Sequence, residues 1–458
     1  MTVLGLQVTL RAGEMPEHVP AHVDAVLGAA EPAAHLDGGS IDRVLARFGA
    51  FQATNVYPAR RSFGDVGSQN RHYDDCEHAH GLSRTVRVRL ADASHVSRAI
   101  AALRDLAIVD HVRADVLATT LALHEPEPAC ASVHGRDLVR ATSALTHERG
   151  DERVIVAVVD SGVSLGHPEL RRKLLAGYDT VDLGYGRVGD LQLIGHSRGV
   201  DFNPRDEVGH GSHVAGIIGA QGYQMPRGIA GLSLIVPIRV LAAALAPGGK
   251  RPIGVGATSD IDCGLKVACD LGAKVINMSF GTGERSLDPD APPPHGKVLR
   301  YASSLGIVLV AAMGNTSDEE RLWPAAHPEV LAVGAVDANF RPTSFSTRGA
   351  HVALSAPGEQ IYSLDLHGYR CSSGTSHSAP FVSGAAALLV SAGRRVGVEL
   401  GGADVRRLLL ANLQARPEGG WNDAMGHGVL DVAAALTAFR KERRTGTQAN
   451  GMSSEVYA

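Results

Sequence analysis

Val154-Ile-Val-Ala-Val-Val-Asp-Ser-Gly-Val163 decides the fold. A strand with one wet face alternates apolar with polar residues. Six apolar residues in a row read instead as a strand buried on both faces of a parallel sheet. Working outward, similar runs recur at 235–241, 273–278, 307–312 and 330–336, with helical spacing between them at 259–271 and 297–304. Strands alternating with helices make an α/β domain with a mostly parallel sheet and helices on both sides, and sites in such sheets form at the carboxyl ends of strands. Amphipathic stretches at 403–413 and 432–439 close the domain.

Residues 1–122 read as a separate small α+β unit. Leu4, Leu6, Val8 and Leu10 alternate, as do Val86, Val88 and Leu90, while Val96, Ile100, Leu103 and Leu106 recur at helical spacing. An extended segment at 108–117 follows, giving the unit a β–α–β ending. Residues 57–80 read as a polar loop whose histidines, His72, His78 and His80 beside Cys76, are expected to be solvated rather than metal-bound. Residues 123–133, with Glu125-Pro-Glu-Pro128, form a linker by composition. The polar tail 441–458 is expected to be disordered.

Composition removes several classes of function. The 44 Lys+Arg nearly balance the 48 Asp+Glu, so no basic face for nucleic acid is implied. No apolar run reaches membrane-spanning length. Five cysteines without a close pair argue against a disulfide framework. The opening Met1–Arg11 lacks a basic region before an apolar core and reads as a strand rather than a signal peptide, so a cytoplasmic protein is expected, or a secreted one if the start is misassigned.

Chemistry gathers at three points. Asp160 stands at the carboxyl end of the first buried strand. His210, in Gly209-His-Gly-Ser-His-Val-Ala-Gly216, opens a helix of small residues. Ser376, in Cys371-Ser-Ser-Gly-Thr-Ser-His-Ser-Ala-Pro380, precedes an Ala/Leu helix that Gly393 can end. Its backbone N–H points outward at the positive end of the helix dipole, where developing negative charge is favoured. Pro380 is tolerated in the first turn, which has no intrahelical donor to lose. Asp, then His, then Ser is one of the chain orders of a serine-nucleophile triad.

These segments resemble the signatures of the subtilisin-like serine proteases, the subtilase family. The resemblance spans about 134–437 and includes Val275-Ile-Asn-Met-Ser-Phe-Gly281, Val310-Ala-Ala-Met-Gly-Asn315 and Gly426-His-Gly-Val-Leu-Asp431. It implies a three-layer α/β/α peptidase domain over 134–440 and hydrolysis of polypeptides by Ser376 as nucleophile. His210 would be its base and then acid, and Asp160 the orienting carboxylate. It further implies Asn315 as an oxyanion-hole donor, and a substrate-binding surface at Ser279, Phe280, Gly281, Ala312, Met313 and Gly314. The N-terminal unit lies where the family keeps an inhibitory propeptide, so self-cleavage within 121–133 is expected.

Departures are Ser212 for Thr, His377-Ser378 for Met-Ala, and Met313, which is expected to narrow the specificity pocket, for a small residue. His377 is expected to be packed and hydrogen-bonded. No cofactor is expected; calcium is possible but not implied, because the loop 219–228 lacks the asparagine-rich calcium ligands of secreted members. A cytoplasmic processing protease with a permanent N-terminal domain is the alternative enzyme. A peptide-binding pseudoprotease is the alternative of another class, and the intact Asp160, His210 and Ser376 count against it. An α/β-hydrolase esterase is disfavoured by chain order and by the lack of a nucleophile elbow.

Overall fold

The computed structural model describes residues 3–14, 16–59, 72–120 and 135–452, so the expected linker and cleavage region lie outside it. Seven strands lie side by side in the order Val352–Pro357, Val330–Val336, Val308–Ala312, Val275–Met278, Ile155–Asp160, Leu234–Arg239 and Tyr178–Asp179, every neighbouring pair parallel. Val156 and Val158 face a core shared with helices His210–Gly219 and Thr375–Arg395. Ala157 and Val159 face the opposite core, shared with helices Thr258–Asp270 and Gly296–Ser304. Both faces of each strand are therefore dry, which is why the runs are continuously apolar, and the three-layer expectation holds.

The N-terminal unit has its own core beneath a four-stranded antiparallel sheet ordered Phe51–Asn55, Thr85–Leu90, Val3–Leu10 and Val109–Thr120. Its apolar face, with Leu6, Val8, Val86 and Val88, packs inward on helices Ser40–Leu45 and Val96–Arg104. The polar face is buried too. Gln7, Thr9, Arg87 and Asp115 are each no more than 2% exposed, because that face lies on helices Thr258–Asp270 and Gly296–Ser304 of the large domain.

Burying polar residues there requires partners, and they are present. Arg87 pairs with Asp260 at 2.7 Å and Asp115 at 3.2 Å, Arg113 with Asp262 at 2.6 Å, and Lys266 with Glu77 at 2.6 Å. Asp115 also accepts the backbone N–H of Ser259 and the hydroxyls of Thr258 and Ser259, so a carboxylate of the small unit caps a helix of the large one.

Several expectations are corrected. The stretch 57–80 is not all loop, since Asp74 caps a short helix, Asp75–Ala79, through a reciprocal box with Glu77. Within that stretch His78 bonds Ser83 and His80 bonds the Cys76 carbonyl. The nucleophile helix passes Gly393 and ends at Arg395. The last helix, Val432–Met452, continues where a disordered tail was expected from 441, with Glu442 paired to Arg407 at 2.9 Å. That partner lies 35 residues away, beyond the reach of local composition. Residues 453–458 lie outside the described chain. Cys371 is disulfide-bonded, whereas Cys76, Cys263 and Cys269 are thiols. Among the described residues no helix is long and apolar enough to cross a membrane.

Acid is expected to loosen this assembly. Burial pushes His22, His111, His327 and His351 down to about 4 from the ordinary histidine value of 6.5, and His213 and His377 well below it. Such a group takes up its proton by unfolding, so stability is lost as pH falls from about 6.5 to 4. For His22 alone the loss is on the order of 3 kcal/mol. Asp179 and Asp260, pushed up to about 6 by burial, and Asp206, which burial also raises, act in the opposite sense, but three aspartates do not offset six histidines. Thermal unfolding of the Ser376→Ala chain should show its midpoint falling steadily between pH 7 and pH 4. A flat midpoint would refute the sign.

Candidate active site

Asp160 ends its strand with Oδ1 accepting the Ser161 N–H at 2.7 Å and His210 Nδ1 at 2.6 Å. A carboxylate only accepts, so Nδ1 carries the proton and Nε2 presents a lone pair. His210 begins its helix, and the next residue has to be glycine: a Cβ at Gly211 would collide with the Gly162 carbonyl and stand 3.1 Å from Asp160 Cβ. The imidazole can approach the carboxylate only because that side chain is missing.

Asp206 holds both pieces in place, and the sequence reading missed it. Its Oδ1 accepts from Ser161 Oγ and from the backbone of Val208 and Gly209, and its Oδ2 accepts from the Ser212 backbone and hydroxyl. A carboxylate four residues before a helical histidine was the available cue. Ser212, the departure from threonine, thus keeps the hydroxyl this network needs.

Ser376 lies in the first turn of Thr375–Arg395, where its N–H has no intrahelical acceptor. Its hydroxyl donates to the Ser279 carbonyl at 3.2 Å, and Ser279 Oγ donates back to the Ser376 carbonyl at 3.0 Å. His210 Nε2 is buried and has no hydrogen-bond partner among the described residues. The Asp160–His210 bond is therefore formed, while the Ser376 hydroxyl is turned to Ser279. All three side chains are fully buried.

Asn315 is fixed from the same helix. Its Oδ1 accepts the Thr375 N–H and hydroxyl, both at 2.9 Å, which turns the amide NH2 toward Gly374. A Cβ on Gly374 would stand 3.0 Å from that nitrogen. Gly314 donates its N–H to Thr375 Oγ1 at 3.0 Å. Ala312 and Met313 are interior on opposite sheet faces, Met313 in one core cluster with Met278 and Phe280.

Phe280 and Gly281 form an edge that is already paired. Thr120 lies opposite Phe280 and Thr119 opposite Gly281, antiparallel. On its other side the same strand pairs with Ile253–Ala257, Thr119 opposite Val255 and Leu117 opposite Ala257. The end of the N-terminal unit thus fills the slot between two edges of the large domain and joins both units into one sheet.

His377 is packed but not hydrogen-bonded as expected. Its ring centroid lies 4.3 Å from that of His213 and 6.1 Å from that of His210, and neither ring nitrogen has a partner among the described residues. The loop after the histidine helix is organised by Glu169, whose carboxylate accepts the backbone N–H groups of Gly222, Tyr223 and Gln224. Among the described residues no group of three or more His, Cys, Asp or Glu could hold a metal ion.

Fold and site together define a subtilisin-like α/β/α protein. The chain belongs to the subtilase family, whose description matches residues 151–428, more than half of its length. It is 38% identical over 248 residues to the thermophilic serine proteinase of Bacillus sp. (strain AK1), covering 54% of each chain, so it spans about half the length of that relative. Over 245 residues it is 35% identical to thermitase of Thermoactinomyces vulgaris, covering 52% of this chain and 75% of thermitase. A solved lanthipeptide protease shares the fold, with a TM-score of 0.54 at 22% identity over 67% of this chain and 93% of that one.

Proposed function

We propose that the chain is a serine endopeptidase made as a precursor that its own N-terminal domain inhibits. In this reading Ser376 Oγ leaves the Ser279 carbonyl, gives its proton to His210 Nε2 and attacks the scissile carbonyl. The charge that develops on the carbonyl oxygen is met by the Ser376 N–H and the Asn315 amide. His210, now an imidazolium stabilised by Asp160, protonates the departing amine. The acyl-enzyme is then hydrolysed by a water that His210 deprotonates.

The observation that carries this reading is the two-sided pairing of residues 117–120. Binding by strand addition supplies affinity through backbone pairing, whatever the side chains. A chain held this way, with Thr120 opposite the neighbour of Ser279, lies as a polypeptide substrate would lie. The N-terminal domain then inhibits by occupation of the cleft, and cleavage after Thr120 would free its covalent tether.

A second reading, that the domain stays as a permanent subunit, is favoured by the buried pairs Arg87–Asp260, Arg113–Asp262 and Lys266–Glu77. Intact mass over time, fluorophosphonate labelling and gel filtration separate the two. Shortening with labelling and loss of the fragment supports the precursor. Labelling with the fragment retained supports the permanent subunit. A folded sample that never labels would sink both.

A further inference from the structure

We infer that a cavity of about 360 Å³ between the two domains is a binding site for a phosphate-bearing small molecule. It lies away from the nucleophile and owes nothing to the catalytic reading. Residues of the small domain, Arg84, His111 and Arg113, form one wall, and residues of the large domain, Lys297, Arg300 and His327, form the other. Thr9, Tyr57 and Thr85, each no more than 2% exposed, also line it.

Positive charge lining this cavity is left unmatched. Elsewhere at this interface the named cations face carboxylates: Arg87 faces Asp260, Lys266 faces Glu77 and Arg89 faces Asp182. In the cavity Arg113 is matched by Asp262. Among the described residues Arg84 donates only to the carbonyls of Leu10 and His78, Lys297 bonds only His111 Nε2 at 2.8 Å, and Arg300 has no hydrogen bond or ion pair. Among the described residues none of these three has a carboxylate within ion-pair distance. Asp110, at the rim and half exposed, is the one acidic lining residue and lies beside His111.

Bringing three unmatched cations together costs free energy that a dianion would return. The crowding is visible in Lys297, pushed down to about 7 by burial and then by Arg113, Arg84 and Arg300, with only Asp110 opposing. Helix Gly296–Ser304 also starts at this wall, so the positive end of its dipole lies beside the same space. Guanidinium forks, an ammonium and a helix start are the donors that recognise phosphate. The volume leaves room for a small organic group attached to it. Because both domains supply walls, the ligand would also clamp them together.

The test is calorimetric titration of the full Ser376→Ala chain with inorganic phosphate and, separately, glycerol phosphate, with ionic strength held constant by chloride. Saturable 1:1 binding is expected, weakened about tenfold or more by Lys297→Gln and by Arg300→Gln. Tighter binding of glycerol phosphate would identify a monoester as the preferred form, and equal affinity the free anion. Arg300 is exposed, so its variant should keep its fold, checked by circular dichroism. No saturable binding of either anion, or binding that Arg300→Gln leaves unchanged, overturns the assignment.

Discussion

Replacement of Ser376 by alanine is expected to abolish peptide hydrolysis and self-shortening together while leaving the fold intact. The loss in turnover should be about 10⁶-fold, a figure taken from subtilisin, itself a relative, rather than derived from this chain. The substitution removes one oxygen whose only partner among the described residues is the Ser279 carbonyl, so the packing around it changes little. Asn315→Ala should cost less, about 10²–10³ in turnover, again subtilisin's value. It should fall on kcat rather than KM, because the amide acts on charge that exists only in the transition state. The Asn315 side-chain oxygen Oδ1 also holds the start of the nucleophile helix through Thr375, so the thermal midpoint must be measured beside the kinetics. A Ser376→Ala chain that still shortens without added protease would refute self-processing.

Lys266→Met should be the most damaging single change to stability, at about 3–5 kcal/mol. Lys266 is wholly buried in the large domain, with Nζ 2.6 Å from Glu77 of the small domain and 2.7 Å from Asp270 on its own helix. Methionine fills most of the volume but leaves two carboxylates out of water with no cation. Adding Glu77→Gln should recover much of the loss, since it removes one stranded charge. Denaturant unfolding of the four combinations on the Ser376→Ala background gives the coupling directly. A loss below about 1 kcal/mol for Lys266→Met would mean that the pair does not fasten the domains.

The sheet and the Asp160, His210 and Ser376 positions were legible because their signals are local. A strand buried on both faces has to be apolar throughout, and a helix that begins in a closely packed site announces itself by small residues. What escaped was carried by long-range pairing. The alternation of Leu6 with Gln7 and Val8 with Thr9 reads as one wet face, yet Gln7 and Thr9 are buried against another domain. Nothing within ten residues of Arg87 forecasts Asp260, which lies 173 residues away. Asp206 was missed because its role lies in holding two loops, and single-position reasoning looks for the groups that react. His377 was expected to find hydrogen-bond partners, but its neighbours are two more imidazoles whose own nitrogens are engaged elsewhere or unpartnered.

The slot that residues 117–120 fill sets a condition on whatever replaces them. Neighbouring strands lie about 4.8 Å apart, so two edges that flank one strand stand roughly 10 Å from each other. Gly254 lines one edge, and a Cβ there would come within 2.7 Å of Thr120 Cγ2. A helix with its side chains is as wide as the whole gap, and its backbone groups are already bonded to each other. A bond inside a folded domain could therefore reach Ser376 only after several residues around it had peeled away as a single extended ribbon. On the proposed function the enzyme would then select first by local order: loops and unfolded segments would be open to it, and well-packed proteins would be cut only as often as they open.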